Sequence, residues 1–326
     1  RPFEGKQIAF AKDTNPVQWK NIAEYILKIE RQGPEGWIVP DEEVMREIAD
    51  ADVMFVNTSG VTAAMLERAK KLKAIFLLRS GCEGVNLEYA RARGITVSNC
   101  PSRLAEPVAD MAIALMLCEC RGIARGNLRA MNGMWQQMDD FDDRTNAPLG
   151  NLTVGLVGYG GIARAVAQRL GKGFGSEVIA FDPFVSHKHM NDDGVIKKET
   201  LAELLRESDI VSVHLKVTEE TKGMIGAREF AQMKPTALFI NTARASLVDE
   251  DALVYALQNK IIRGAGLDVY TTEPLPACHP FVGMKNVTLM PHRAGATSNI
   301  TMNSLRLLMP EFQRYLGGEP LRFVVN

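Results

Sequence analysis

Short apolar runs alternate with amphipathic stretches along almost the whole of this sequence. Runs over 7–11, 53–56, 74–78 and 95–97 predict strands, and 16–31, 62–70 and 87–92 carry helical spacing. Helices of that length between short apolar strands mean crossover connections, and therefore a parallel sheet. The rhythm breaks at Asn99-Cys100-Pro101-Ser102, and one long amphipathic helix is expected over 105–120, as a connector between two domains. A polar stretch from Asp139 to Arg144 follows. A second alternating series then predicts strands over 153–157, 178–181, 210–215, 237–241, 265–269 and 287–290. The last helix, over 298–316, has no strand after it until 323–325, so it is expected to pack back on the first domain.

A chain of 326 residues exceeds the size at which one hydrophobic core usually stops growing. Two domains are expected: 1–103 together with 297–326, and 104–296 inserted between them. The fold class is α/β, with two doubly wound domains. Charge adds a constraint on partners. With 38 Lys and Arg against 39 Asp and Glu, the net charge of -1 gathers neither nucleic acid nor an anionic membrane. Positive partners for an anionic substrate must therefore be local. The longest apolar stretches, 72–78 and 111–118, are too short to span a bilayer, and the start has no apolar signal core. Five cysteines form no C-x-x-C pair, which fits unpaired thiols in a reducing cytoplasm. No His/Cys/Asp cluster has metal-ligand spacing, so no metal is expected.

The apolar run Thr153 to Val157 leads directly into Gly158-Tyr159-Gly160-Gly161-Ile162-Ala163, and a helical pattern follows. That is the dinucleotide fingerprint with Ala in its third small position. The first glycine makes the tight turn, and the second lets the backbone approach a pyrophosphate. The helix N-terminus adds N–H groups for the anion. The next strand ends in Ala180-Phe181-Asp182, about 20 residues further on, where an acid accepts from the ribose 2′-hydroxyl. A 2′-phosphate would meet its negative charge there, so NAD is expected rather than NADP.

Three further strand ends carry chemistry. Asn241-Thr242-Ala243-Arg244 closes one, Asp268 with Glu273-Pro274 follows the next, and Pro291-His292-Arg293-Ala294-Gly295 closes the third. An arginine, a carboxylate and a histidine at neighbouring strand ends supply an anion anchor, an orienting group and an acid/base. Here the sequence resembles the D-isomer-specific 2-hydroxyacid dehydrogenase family. These motifs carry the resemblance, joined by Val248-Asp249-Glu250, Arg79-Ser80-Gly81 and Ala105-Glu106-Pro107-Val108. The match runs from about residue 51 to the end. Departures from the family pattern are Ala163, Ala245-Ser246, Lys216, Asp110 and Arg293.

The resemblance implies a Rossmann NAD-binding domain inserted in a flavodoxin-like substrate domain. It implies an enzyme that moves a hydride between NAD and C2 of a small 2-hydroxy or 2-oxo acid. Arg244 would bind the substrate carboxylate and C2 oxygen, His292 would carry the proton, and Glu273 would hold and charge the imidazole. Backbone N–H groups of Ser80 and Gly81 would receive the carboxylate. Cofactor contacts are implied for Val108, Gly158, Tyr159, Gly160, Gly161, Ile162, Asp182, Pro183, Leu215, Thr242, Ala243, Arg244, Asp268, His292, Ala294 and Gly295. Arg79, Lys216 and Arg293 suggest a polar or anionic substrate side chain. Trp135 is a candidate for either core packing or a subunit contact, and a homodimer through 121–149 is implied. The alternative class is a non-catalytic NAD-sensing scaffold, such as the corepressors that resemble this family.

Overall fold

A computed structural model of the chain describes residues 4–18, 22–135, 147–298 and 300–326. The polar stretch from Asp139 to Arg144 lies outside them. The chain divides into two compact units, 1–103 with 298–326, and 104–297.

The first unit is built on β1 (Val53–Val56), β2 (Ala74–Leu77) and β3 (Thr96–Ser98), parallel and in that order. Side chains alternate across this sheet with the period of two that a pleat requires. Val56, Ile75, Leu77 and Val97 face a core with Met65 and Leu66 of α3 (Ala63–Arg68) and Ala90 of α4 (Leu87–Ala92). Two earlier helices, α1 (Ile22–Gln32) and α2 (Glu42–Glu47), complete this unit's N-terminal part. Val53, Phe55, Ala74 and Phe76 face the other way, against Leu308 and Phe312 of the C-terminal helix Ile300–Leu316. The Phe76 and Phe312 rings meet edge to face at 5.5 Å, and Phe55 lies 5.2 Å from Phe76. The end of the chain closes the sheet: Val324 bridges Ser98 antiparallel, and the Val325 N–H donates to the Val97 carbonyl at 2.9 Å.

The N-terminal segment departs from expectation. Residues 7–11 form no strand, and Ile8 and Phe10 stand 51% and 89% exposed. An apolar run becomes a strand only where a neighbour pairs its backbone and a layer covers its face, and this one has neither. The expected helix over 16–31 is a 3-10 turn at Pro16–Gln18, then α1, with 19–21 outside the described residues.

The second unit opens with α5 (Ala105–Arg121) and α6 (Ile123–Met131). Its seven parallel strands are β4 (Thr153–Val157), β5 (Glu177–Phe181), β6 (Ile196–Lys197), β7 (Ile210–Val213), β8 (Leu238–Asn241), β9 (Gly264–Leu267) and β10 (Val287–Leu289). Their order is β10-β9-β8-β7-β4-β5-β6. The order reverses between β4 and β7, and that switch point is where an open α/β sheet leaves a ligand crevice. Buried strands of this kind read as continuous apolar runs, which is why most were legible. Leu156, Val178, Ile210 and Ile240 turn to the layer holding α5 and α7 (Gly161–Arg169). Val157, Ile179, Val211 and Phe239 turn to the opposite layer, which holds α9 (Leu201–Glu207), α10 (Ala227–Phe230) and α11 (Glu250–Gln258). The short α8 (His187–Asp192) precedes β6. The expected connector helix is α5, and it sits close on β9: a Cβ on Gly266 would lie 2.9 Å from the Leu115 Cβ. Among the described residues, no helix is long and apolar enough to cross a membrane.

Phe312 closes the aromatic cluster on the outer face of the first sheet and is 4% exposed. Phe312→Ala is expected to cost about 3–5 kcal/mol, the range for truncating a buried phenylalanine. Urea denaturation checks it.

Candidate active site

The turn after β4 is dictated by space. Gly158 has φ +89°, and a Cβ there would lie 2.8 Å from Leu215 Cδ2 and 3.0 Å from the His214 carbonyl oxygen. Only glycine makes this turn without displacing the end of β7. At Gly160, by contrast, a Cβ would meet nothing within 4 Å. The backbone there faces open space at the start of α7, whose first turn has no side-chain cap. Free N–H groups beside an open space are what a pyrophosphate needs.

Asp182 stands at the end of β5. Its Oδ2 accepts the Tyr159 N–H and its Oδ1 the Phe184 N–H, both at 2.9 Å. The carboxylate is therefore fixed beside the glycine turn. Tyr159 is buried, and its hydroxyl donates to Asp193 at 3.1 Å, where Arg164 Nε also donates at 3.1 Å. Burial raises the Tyr159 pKa above its ordinary value, so the hydroxyl stays a donor. At the end of β8, Thr242 is buried and, among the described residues, its hydroxyl has no hydrogen-bond partner. An orphaned hydroxyl there fits a ligand group that would complete it. Val108 is buried on α5, Ile162 and Leu215 are half-buried, and Pro183 is exposed. His214 follows β7 with its Nε2 3.0 Å from Ser212 Oγ, and burial takes its pKa down to about 4. It stays neutral, as a structural histidine does.

The chemistry-bearing residues follow β8, β9 and β10. Asn241 holds the first of these loops, accepting the Ala243 N–H at 3.0 Å and donating to the Arg244 carbonyl at 3.1 Å. The Arg244 side chain is exposed, with Nη1 donating to the Ala243 carbonyl at 2.8 Å. After β9, Asp268 is wholly buried and accepts the N–H groups of Arg293 and Ala294 at 2.7 and 2.8 Å. Burial raises its pKa despite those two donors. Its carboxylate supports the loop after β10, and no part of it is exposed. That loop carries His292 at φ +51°, a left-handed conformation rare outside glycine and concentrated at functional sites.

His292 Nδ1 lies 2.7 Å from Glu273 Oε2, and Glu273 Oε1 accepts the Tyr270 N–H at 3.0 Å. The hydrogen bond to Glu273 raises the His292 pKa against the opposing effect of burial. Burial works to raise the Glu273 pKa, yet the bonds from His292 and Tyr270 and the charges of His292 and Arg244 leave it below the ordinary value. The pair therefore favours imidazolium with carboxylate. Tyr270 had no role in the sequence reading. Its buried hydroxyl lies 2.8 Å from the Met290 carbonyl and 3.0 Å from that of Leu267, tying the two loops together.

Ser80 and Gly81 lie in the first unit, in an exposed turn after β2. Gly81 lines a small cleft with Glu30, Asn57, Thr58, Arg79 and Glu83. Arg79 Nη2 is 3.5 Å from Glu30 Oε1, so its charge is answered inside the cleft. Lys216 and Arg293 are exposed.

Residues 113–294 match the family described as D-isomer specific 2-hydroxyacid dehydrogenase, NAD binding domain. The chain belongs to the D-isomer-specific 2-hydroxyacid dehydrogenase family. A glyoxylate reductase of Korarchaeum cryptofilum is 34% identical over 88% of this chain and 86% of its own length. A D-3-phosphoglycerate dehydrogenase of Methanocaldococcus jannaschii is 32% identical over 87% of this chain. The chain spans only about half of that relative, 53%. Among solved structures, D-lactate dehydrogenase with NAD+ from Lactobacillus jensenii has a TM-score of 0.75 at 27% identity, covering 88% of this chain and 90% of that one. Unit 104–297 thus holds the family's NAD-binding domain, and the glycine turn, Asp182 and Thr242 fit the cofactor.

Asp182 is expected to favour NADH over NADPH, because its carboxylate would face a 2′-phosphate. Comparing kcat/KM with each cofactor checks the preference, and Asp182→Ala should narrow it. A parent that prefers NADPH overturns this assignment.

Proposed function

We propose that this chain is an NAD-dependent oxidoreductase acting at C2 of a small D-2-hydroxy or 2-oxo acid, with His292 as acid/base, Glu273 as its orienting partner and Arg244 as carboxylate anchor. The 2.7 Å contact between His292 Nδ1 and Glu273 Oε2 carries the reading. With Nδ1 so engaged, Nε2 is the nitrogen left to move a proton at the C2 oxygen. The nicotinamide supplies or accepts the hydride when bound. Arg244 keeps its charge at every working pH and can bond two oxygens of the acid at once. Ser80 and Gly81 would offer backbone N–H groups to the carboxylate. Because Arg79 shares its cleft with Glu30 and Glu83, a small neutral polar side chain suits this acid better than an anionic one. The relatives named glyoxylate reductase and hydroxypyruvate reductase act, by those names, on acids of that size. Domain roles follow: 104–296 for the cofactor and 1–103 with 297–326 for the substrate.

A homodimer is part of the proposal. Helix α6 buries none of its residues, and Leu128, Met131 and Trp135 stand 63%, 78% and 93% exposed. Trp135 is therefore no core residue of its own chain. So large an exposed apolar group suits a subunit contact. Residues 136–146 of the implied segment lie outside the described ones. Sedimentation at micromolar concentration is expected to give a dimer, and Trp135→Glu to weaken it.

Oxidation of NADH with a panel of 2-oxo acids tests the activity, and the absence of turnover with every member refutes it. His292→Ala should lower the rate roughly 10²–10⁴-fold, the span for a positioned acid/base. Reduction requires protonated His292, so its rate falls as pH rises through the raised His292 pKa. Oxidation requires the neutral ring, so its rate falls as pH drops through the same value. Glu273→Gln removes the charge that raises this pKa. Both limbs should therefore move to lower pH, with NADH binding nearly intact. An unchanged profile would make Glu273 a structural carboxylate.

A further inference from the structure

A second histidine–glutamate pair lies on the far side of the loop that carries Glu273. Glu250 opens α11, just after the Asp249 side chain that caps the helix. Its Oε2 accepts the Thr271 N–H at 3.0 Å, and its Oε1 lies 3.3 Å from His279 Nε2. His279 Nδ1 accepts the Phe281 N–H at 3.2 Å, which puts the ring proton on Nε2 and makes that nitrogen the donor to Glu250. Phe281 is buried, and its ring packs 4.7 Å from the imidazole. The two side chains are only 15% and 22% exposed, so this is a fixed arrangement and not a loose surface pair.

The consequence lies in adjacent backbone groups. The Tyr270 N–H donates to Glu273, and the next N–H along the chain, that of Thr271, donates to Glu250. Two consecutive peptide groups are thus gripped by two different carboxylates, one of which holds His292. We propose that Glu250, oriented by His279, is a positioning residue for the reaction: by fixing Thr271 it sets the Tyr270 N–H that holds Glu273 against His292. This rests on the acid/base assignment made above. The simpler alternative is that Glu250 only favours the N-terminus of α11, as an acid in a first helical turn does. That role would leave the His292 environment untouched. The titratable or charged groups facing His292 are Glu273, Arg244 and Asp268, and those facing the Thr271 end of the loop are Glu250 and His279.

The test uses the full chain. The His292 imidazole is titrated by NMR without substrate, and turnover is measured with NADH and the best 2-oxo acid. Glu250→Ala is expected to move the His292 titration down by roughly half a unit as Glu273 loosens. It should also lower kcat several-fold, with KM for NADH unchanged. Glu250→Gln keeps a carbonyl for the Thr271 N–H and should restore most of both. An alanine variant with a lowered Tm but an unmoved titration and kcat overturns the proposal. If that variant does not fold, His279→Ala decides, a downward shift supporting the proposal and an unmoved titration overturning it. A parent that reduces no 2-oxo acid sinks the functional reading instead, and the titration still judges the positioning.

Discussion

Parallel pairing of β8, β9 and β10 directs three successive strand ends toward the same edge of one sheet. Residues far apart in sequence become neighbours for that reason alone. Arg244 leaves β8, the Asp268–Glu273 loop leaves β9, and His292 leaves β10. Further ties hold these loops together. The buried Tyr270 hydroxyl against the Met290 carbonyl, and Asp268 against two N–H groups, supply them.

Two carboxylates of one loop show how environment decides protonation. Both are partly or wholly removed from water, which favours the neutral acid. At Asp268, burial prevails over two backbone donors, and the pKa rises. At Glu273, burial is opposed by two hydrogen bonds and by the charges of His292 and Arg244, and the pKa falls. Glu273, the carboxylate held below its ordinary value, is the one facing the histidine. Asp268 is positioned to hold backbone, which either of its protonation states does through at least one oxygen.

Much of the second unit was legible because buried parallel strands are written as apolar runs, and the glycine turn and the Arg, Glu and His motifs sit at their ends. β6 escaped notice: it is two residues long, and Ile196 is 47% exposed, so no apolar run marks it. The opposite failure occurred at 7–11, where an apolar run exists but no strand pairs with it. In the candidate site, the sequence offered Arg244, Glu273 and His292 and missed most of the groups that hold them. Tyr270, Asp193 and Glu250 act through contacts whose partners lie 20 or more residues away. No local spacing encodes such contacts. Arg79 was legible as a cation, but its pairing with Glu30, which answers part of that charge, was not.

The left-handed backbone at His292 shows what those ties must outweigh. A non-glycine residue at φ +51° costs on the order of 1–3 kcal/mol. Immediately after it come the two N–H groups that Asp268 accepts, at 2.7 and 2.8 Å. These two bonds oppose the strain and hold the turn. In that geometry the imidazole Nδ1 lies 2.7 Å from Glu273. Asp268 fixes the backbone, the backbone aims the ring, and Glu273 then fixes its protonation. Each step presupposes the one before it. The buried aspartate therefore positions the histidine's loop, and it does so only through the neighbouring peptide groups.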